Sequence, residues 1–246
     1  MKRFNKLTAF TLTFVLLLAC LASCKPTPAV ESYKATVTTS FTSNDAAMAD
    51  AIAALEKSTV TLYVYGDNLM VVSETALGDV KLNRTYTVAD GILYNNTTLK
   101  AAGKTVNEKE KAAFAASERE ALIGKVGAGA SLDTDDFNSV TENDGTSYTC
   151  SGIKDDAKAS LTSIFAAKFE ALGASVNMQD AEYYVEKLDG KAVNYILNAR
   201  FVITMNGEDY SVNMTIECDY DYNANVKVSA PEGVDTYTEV TYEDII

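Results

Sequence analysis

A chain of 246 residues, 47% hydrophobic and 22% charged, has the make-up of a folded globular protein, and 13 Gly with 3 Pro exclude collagen-like and disordered classes. Against 21 basic residues stand 34 acidic ones, a net charge of −13, which argues against nucleic acid or an anionic lipid surface as a broad electrostatic partner. There is no histidine, so Ser-His-Asp and Cys-His catalysis and every His-based metal site are excluded.

Residues 1–23 read as an export signal: Lys2, Arg3 and Lys6 form a basic start, and an apolar run follows from Leu7 to Leu21. That run is shorter than the about 20 apolar residues a single membrane span needs. It ends in Leu21-Ala22-Ser23-Cys24, which resembles the lipobox of bacterial lipoprotein precursors. The resemblance implies diacylglycerylation of Cys24, cleavage before it, and a mature protein that is extracytoplasmic and lipid-anchored to the cell membrane. Leu17-Leu18-Ala19-Cys20 is a poorer second candidate, because it would leave apolar residues on the mature chain. Two acyl chains suffice for stable anchoring, each buried CH₂ contributing roughly 0.8 kcal/mol. Residues 24–30, with Pro26 and Pro28, read as a short extended tether, so that 31–246 forms a single folded domain.

Alternation of apolar and polar residues dominates that domain. Tyr33, Ala35, Val37, Thr39 and Phe41 share one face of a first strand. A helix is expected over 44–57, with Met48, Ile52 and Leu55 on one stripe and Ser43 or Asn44 as its cap. Val60, Leu62 and Val64 then begin a set of four strands, with a turn at Gly66-Asp67-Asn68 and another at Asp90-Gly91. The charged, Ala-rich stretch 107–125 predicts a second helix, running out in Gly127-Ala128-Gly129. Two strands turning at Asp144-Gly145 follow. A third helix over 155–172 carries a stripe of Leu161, Ile164, Phe165, Phe169 and Leu172 and is capped by Gly173. Four closing strands, with a turn at Asp189-Gly190, include a long hairpin. Tyr195, Leu197, Ala199, Phe201, Ile203 and Met205 face Tyr210, Val212, Met214, Ile216 and Cys218 across an Asn206-Gly207 turn. No sequence repeat is visible, although the order hints at two similar halves. The fold class expected is α+β: an antiparallel sheet whose apolar face packs against about three helices.

Behind its lipobox, the layout resembles the LolA-like lipoprotein carriers and their LppX/LprG-type relatives. Tyr63-Val64-Tyr65-Gly66-Asp67-Asn68-Leu69, Tyr86 to Tyr94 and Tyr222 to Pro231 carry the resemblance. It implies a highly curved sheet, a half-barrel, around the helices, with an apolar cavity between them for acyl chains. It transfers no functional residue by position.

Arg84 shares a strand face with Val80, Leu82, Tyr86 and Val88, where a charge can meet the acidic or ester head of a ligand or can snorkel along apolar surface. Cys150 and Cys218 are both placed inward, which makes them a candidate disulfide outside the cytoplasm, or else two buried thiols that never meet. Asp219, Asp221, Asn223 and Asn225 alternate, but Ala224 and Ala230 stand where a calcium loop needs Gly and Glu. Asp133, Asp135 and Asp136 read as solvated acids too. Ser151-Gly152-Ile153-Lys154 matches the S-x-x-K of lysine-assisted serine hydrolases without its companion motifs. The Gly-rich 124–129 segment follows a helix rather than a strand and so does not read as a phosphate loop. The 14 tyrosines read as cross-strand packing partners, with platforms for sugars or peptides as the other reading. No catalytic residue, metal site or cofactor is assigned. The expected function is binding of a hydrophobic ligand, an acyl-chain lipid or a lipoprotein, in a cavity between sheet and helices. The alternative is a surface lipoprotein with a packed core that acts as a protein-, peptide- or glycan-binding accessory or sensor module.

Overall fold

A computed structural model describes residues 32–45, 58–77, 79–119, 122, 132–159, 161–162 and 174–245. The expected signal and tether, with Cys24, lie outside them, as do the Gly-rich 124–129 segment, the expected first helix from residue 46 onward and most of the third.

Eleven strands run in chain order: β1 (Ser32–Thr42), β2 (Ser58–Tyr65), β3 (Asn68–Leu77), β4 (Val80–Ala89), β5 (Ile92–Ala101), β6 (Lys104–Ala113), β7 (Phe137–Glu142), β8 (Ser147–Ile153), β9 (Ala174–Leu188), β10 (Lys191–Met205) and β11 (Glu208–Asp221). A two-residue β12 (Thr238–Glu239) completes a single twelve-stranded sheet in the order β12-β6-β5-β4-β3-β2-β1-β11-β10-β9-β8-β7. Every pairing is antiparallel except the short β12–β6 contact. Chain neighbours are sheet neighbours except at β6–β7, which lie toward opposite edges, and β11–β12; β11 pairs with β1 and so joins β2–β6 and β7–β10 into one surface. The fold is mostly sheet.

This overturns the expected α+β class with about three helices. Residues 107–113, expected to be helical, belong to β6, which pairs with β5 from Ala101↔Lys104 to Ile92↔Ala113. Glu, Lys and Ala are good helix formers, but propensity differences amount to tenths of a kcal/mol per residue, and the turn at Ala102-Gly103, with φ of 50° and 73°, sends the chain back alongside β5, where ladder pairing overrides propensity. Among the described residues helix is confined to short pieces, including 155–159 and Tyr242–Ile245.

One face of the sheet is buried. Ala35, Val37, Val60, Val71, Tyr86, Leu93, Leu197, Met214 and Ile216 lie on it, and Leu122, Leu132 and Leu161 from the connecting segments join the same core. The pattern survives an irregularity in β9. Ala174, Val176 and Met178 are buried at even positions, Ala181, Tyr183 and Val185 at odd ones. A bulge supplies the extra residue: Arg200 pairs with Asp180 while Phe201 pairs with Met178. Without it, half of β9 would turn its apolar side chains to solvent.

Candidate functional site

On the buried face, the polar exceptions gather on β3, β4 and β5. Cross-strand pairing puts Ser73, Arg84 and Thr97 in one row, and Val71, Tyr86 and Asn95 in the next. Arg84 is only 7% exposed. Its Nε donates to Thr97 Oγ1 at 3.0 Å and its Nη1 to the Tyr86 hydroxyl at 2.9 Å, with the guanidinium carbon 5.6 Å from the centre of the Tyr86 ring. Thr97 Oγ1 donates in turn to Asn95 Oδ1 at 2.9 Å, and Asn95 Nδ2 donates to Glu110 Oε2 at 2.9 Å. Burial pushes the Tyr86 phenol above its ordinary value of 10.0, while the Arg84 charge and hydrogen bond pull the other way and Glu110 adds to the rise.

Arg84 forms no ion pair among the described residues. Glu108 and Glu110 reach this face from β6, but β5 stands between, so their backbones lie about 10 Å away at ordinary strand spacing. Ser73, directly opposite Arg84 and buried, has a hydroxyl without a hydrogen-bond partner among the described residues. The sequence singled out Arg84 and put Tyr86 on its face, but not the partners on neighbouring strands. Ser73, Asn95 and Thr97 are polar residues in apolar register, a signal that was available, whereas Glu110 fell within the stretch read as helix.

The other candidates fare differently. Cys150 and Cys218 are both buried on the same sheet face, but they are not joined to each other. Cys150 on β8 and Cys218 on β11 are separated by β9 and β10, about 14 Å at ordinary strand spacing, against a limit near 7 Å between Cα atoms for a disulfide. Burial raises the Cys150 thiol above its ordinary 9.0. Ser151 and Lys154 make no nucleophile–base pair: Ser151 is exposed, and Lys154 Nζ donates to the Asp135 carbonyl oxygen at 2.6 Å. Asp133 and Asp136 cap a short 3-10 turn reciprocally. Asp219 accepts from Asn194 Nδ2 at 2.7 Å and Asp221 from the Asn223 amide at 2.9 Å. No metal-binding cluster occurs among the described residues.

Tyrosines pack across strands. Tyr183 stacks on Phe137 at 5.6 Å and tilts against Tyr195 at 5.7 Å, while Tyr33, Tyr220 and Tyr222 cluster where β1 begins. On the outer face, the β9 bulge opens a shallow groove of about 220 Å³ lined by Asp180, Glu182, Asn198, Arg200 and Asn213. No described helix is long and apolar enough to span a membrane.

No protein-family model matches the chain, and no curated protein matches it. Among solved structures, it is similar to the ywiB protein from Bacillus subtilis, at 10% identity over 77% of this chain and 91% of that one, with a TM-score of 0.20. It is also similar to the dehydratase domain of PpsC from Mycobacterium tuberculosis, solved in complex with C12:1-CoA, at 11% identity over 87% and 84%, with a TM-score of 0.17. At such TM-scores neither likeness carries weight for fold or function.

Proposed function

We propose that this chain is an extracytoplasmic lipoprotein, anchored through Cys24, that binds an apolar, acyl-type ligand against the buried face of its sheet without chemistry. The single observation that carries the reading is that face: one apolar surface, continuous across most of a twelve-stranded open sheet, on a chain that begins with a lipobox-like signal. Transfer of apolar ligand surface from water would supply the affinity, at about 25 cal/mol per Å² buried. Kinship with the LolA-like carriers belongs to the same proposal, restricted to the wide antiparallel sheet. A second reading, a packed-core module for a protein, peptide or glycan partner, is favoured by Leu122, Leu132 and Leu161, whose buried side chains join that core.

Native mass spectrometry of residues 25–246, followed by organic extraction, separates the two. A stoichiometric apolar adduct supports the carrier. A clean mass, unchanged after incubation with fatty acids and phospholipids, leaves the packed module. Anchoring is tested apart: Cys24→Ala should release the protein from membranes, and full retention would refute the lipid anchor.

A further inference from the structure

We infer that Arg84 and Ser73 form the head site of the bound ligand, and that the head is a terminal carboxylate. The inference rests on the apolar-ligand reading above and adds the chemical class of that ligand. A guanidinium carries five N–H donors. Arg84 spends two, on Thr97 and Tyr86, both neutral. Three donors and a full positive charge remain on a side chain 7% exposed, with no carboxylate paired to it among the described residues. A cation held on an apolar face with donors to spare favours the arrival of an opposite charge.

Ser73 adds a neutral donor beside that charge. It faces Arg84 from the adjacent strand at 4% exposure, and its hydroxyl has no partner among the described residues. Its hydroxyl is not sealed from solvent, since the Tyr242 hydroxyl is the fully buried side-chain polar atom left without a partner among the described residues, so it is free to turn toward a ligand. A polar donor and a cationic fork, side by side on an otherwise apolar face, suit an oxyanion at the end of an apolar chain.

The charge fixes the valence. Arg84 is the one cation in the row Ser73–Arg84–Thr97 and can balance one negative charge, while Glu108 and Glu110 on the β6 side weigh against a second. The guanidinium favours a planar partner. A carboxylate ends its molecule and fits a planar guanidinium edge through two parallel hydrogen bonds. A phosphodiester is also a monoanion but continues into a second substituent, and the displacement test separates the two.

The test uses the full chain in its own membranes, labelled with a photoactivatable fatty acid and challenged with oleate, oleyl alcohol or phosphatidylglycerol. Adducts should fall on the strands spanning residues 68–101, and oleate should displace the label at one tenth or less of the oleyl alcohol concentration. In Arg84→Gln that ratio should fall to about one, and in Ser73→Ala, a change the fold tolerates more readily, it should fall by about threefold. Equal displacement by oleate and oleyl alcohol in the unaltered chain overturns the head site and leaves the apolar-ligand reading standing. Stronger displacement by phosphatidylglycerol than by oleate overturns the carboxylate. Absence of any adduct overturns both readings. The native displacement ratio decides the matter even if Arg84→Gln does not accumulate.

Discussion

The two wings of the sheet use the same strand alternation to opposite ends. On β9–β11 the buried positions are apolar almost without exception: Met178, Tyr183, Leu197, Phe201, Met214 and Ile216. On β3–β5 the equivalent positions include Ser73, Thr75, Arg84, Asn95 and Thr97. Each polar replacement gives up apolar burial and demands hydrogen bonds in return. One wing is thus built for stability. The other carries a polar network that stability alone does not require, and this makes it the place to look for a ligand.

The comparison predicts unequal responses to substitution. Ile216→Ala, at a fully buried position in the apolar wing, should lower unfolding free energy by about 2–5 kcal/mol in urea titrations, through lost transfer energy and the cavity left behind. Gly207→Ala should lose about 1 kcal/mol. The added methyl meets no atom within 4 Å, but φ of +83° is a left-handed conformation that only Gly adopts freely, and Asn206 beside it already sits at +56°. Arg84→Met, in the absence of ligand, should change stability by less than about 1 kcal/mol or raise it, because apolar packing often replaces a buried charge without loss. A loss as large as that of Ile216→Ala would make the arginine a structural member and erase the difference between the wings.

How far the sequence reveals this division depends on what fixes each feature. The β10–β11 hairpin is legible because unbroken alternation and an Asn-Gly turn are both local signals; the observed register, Tyr195↔Cys218 to Ile203↔Tyr210, follows from them. β6 is not legible, since its Glu, Lys and Ala residues satisfy helix propensity and only β5 beside them makes a strand. The β9 bulge is hidden for a like reason: a change of parity at residues 179–180 has meaning only against a partner. Alternation puts Cys150 and Cys218 on inward faces but says nothing of strand order, and strand order keeps them apart. Arg84 stands out as a charge in apolar register. Beyond Tyr86 on its own strand, its network runs through residues on β5 and β6 and becomes visible only in the folded sheet.

The smallest expected effect sits at the outer edge of the apolar wing, where one carboxylate rather than a glycine pair organises the β7–β8 turn. Asp144 Oδ1 accepts from the Thr146 and Ser147 amides at 3.1 and 2.8 Å and from both hydroxyls at 2.9 Å. The Ser147 and Thr146 hydroxyl bonds, seconded by the amides, hold its pKa down to about 2 against an ordinary 3.8. Because the folded value is depressed, the turn gains its stabilisation above about pH 4 and loses it as pH falls through about 2. The amide resonances of Thr146 and Ser147 should therefore titrate with a midpoint near 2, and Asp144→Ala should abolish that midpoint. A midpoint near 4 would mean that the carboxylate is not held by the turn in solution. The edge of the apolar wing would then lack its cap. Since Asp144 is fully exposed, global stability should barely register the change, so the amide titration rather than denaturation is the measurement that decides.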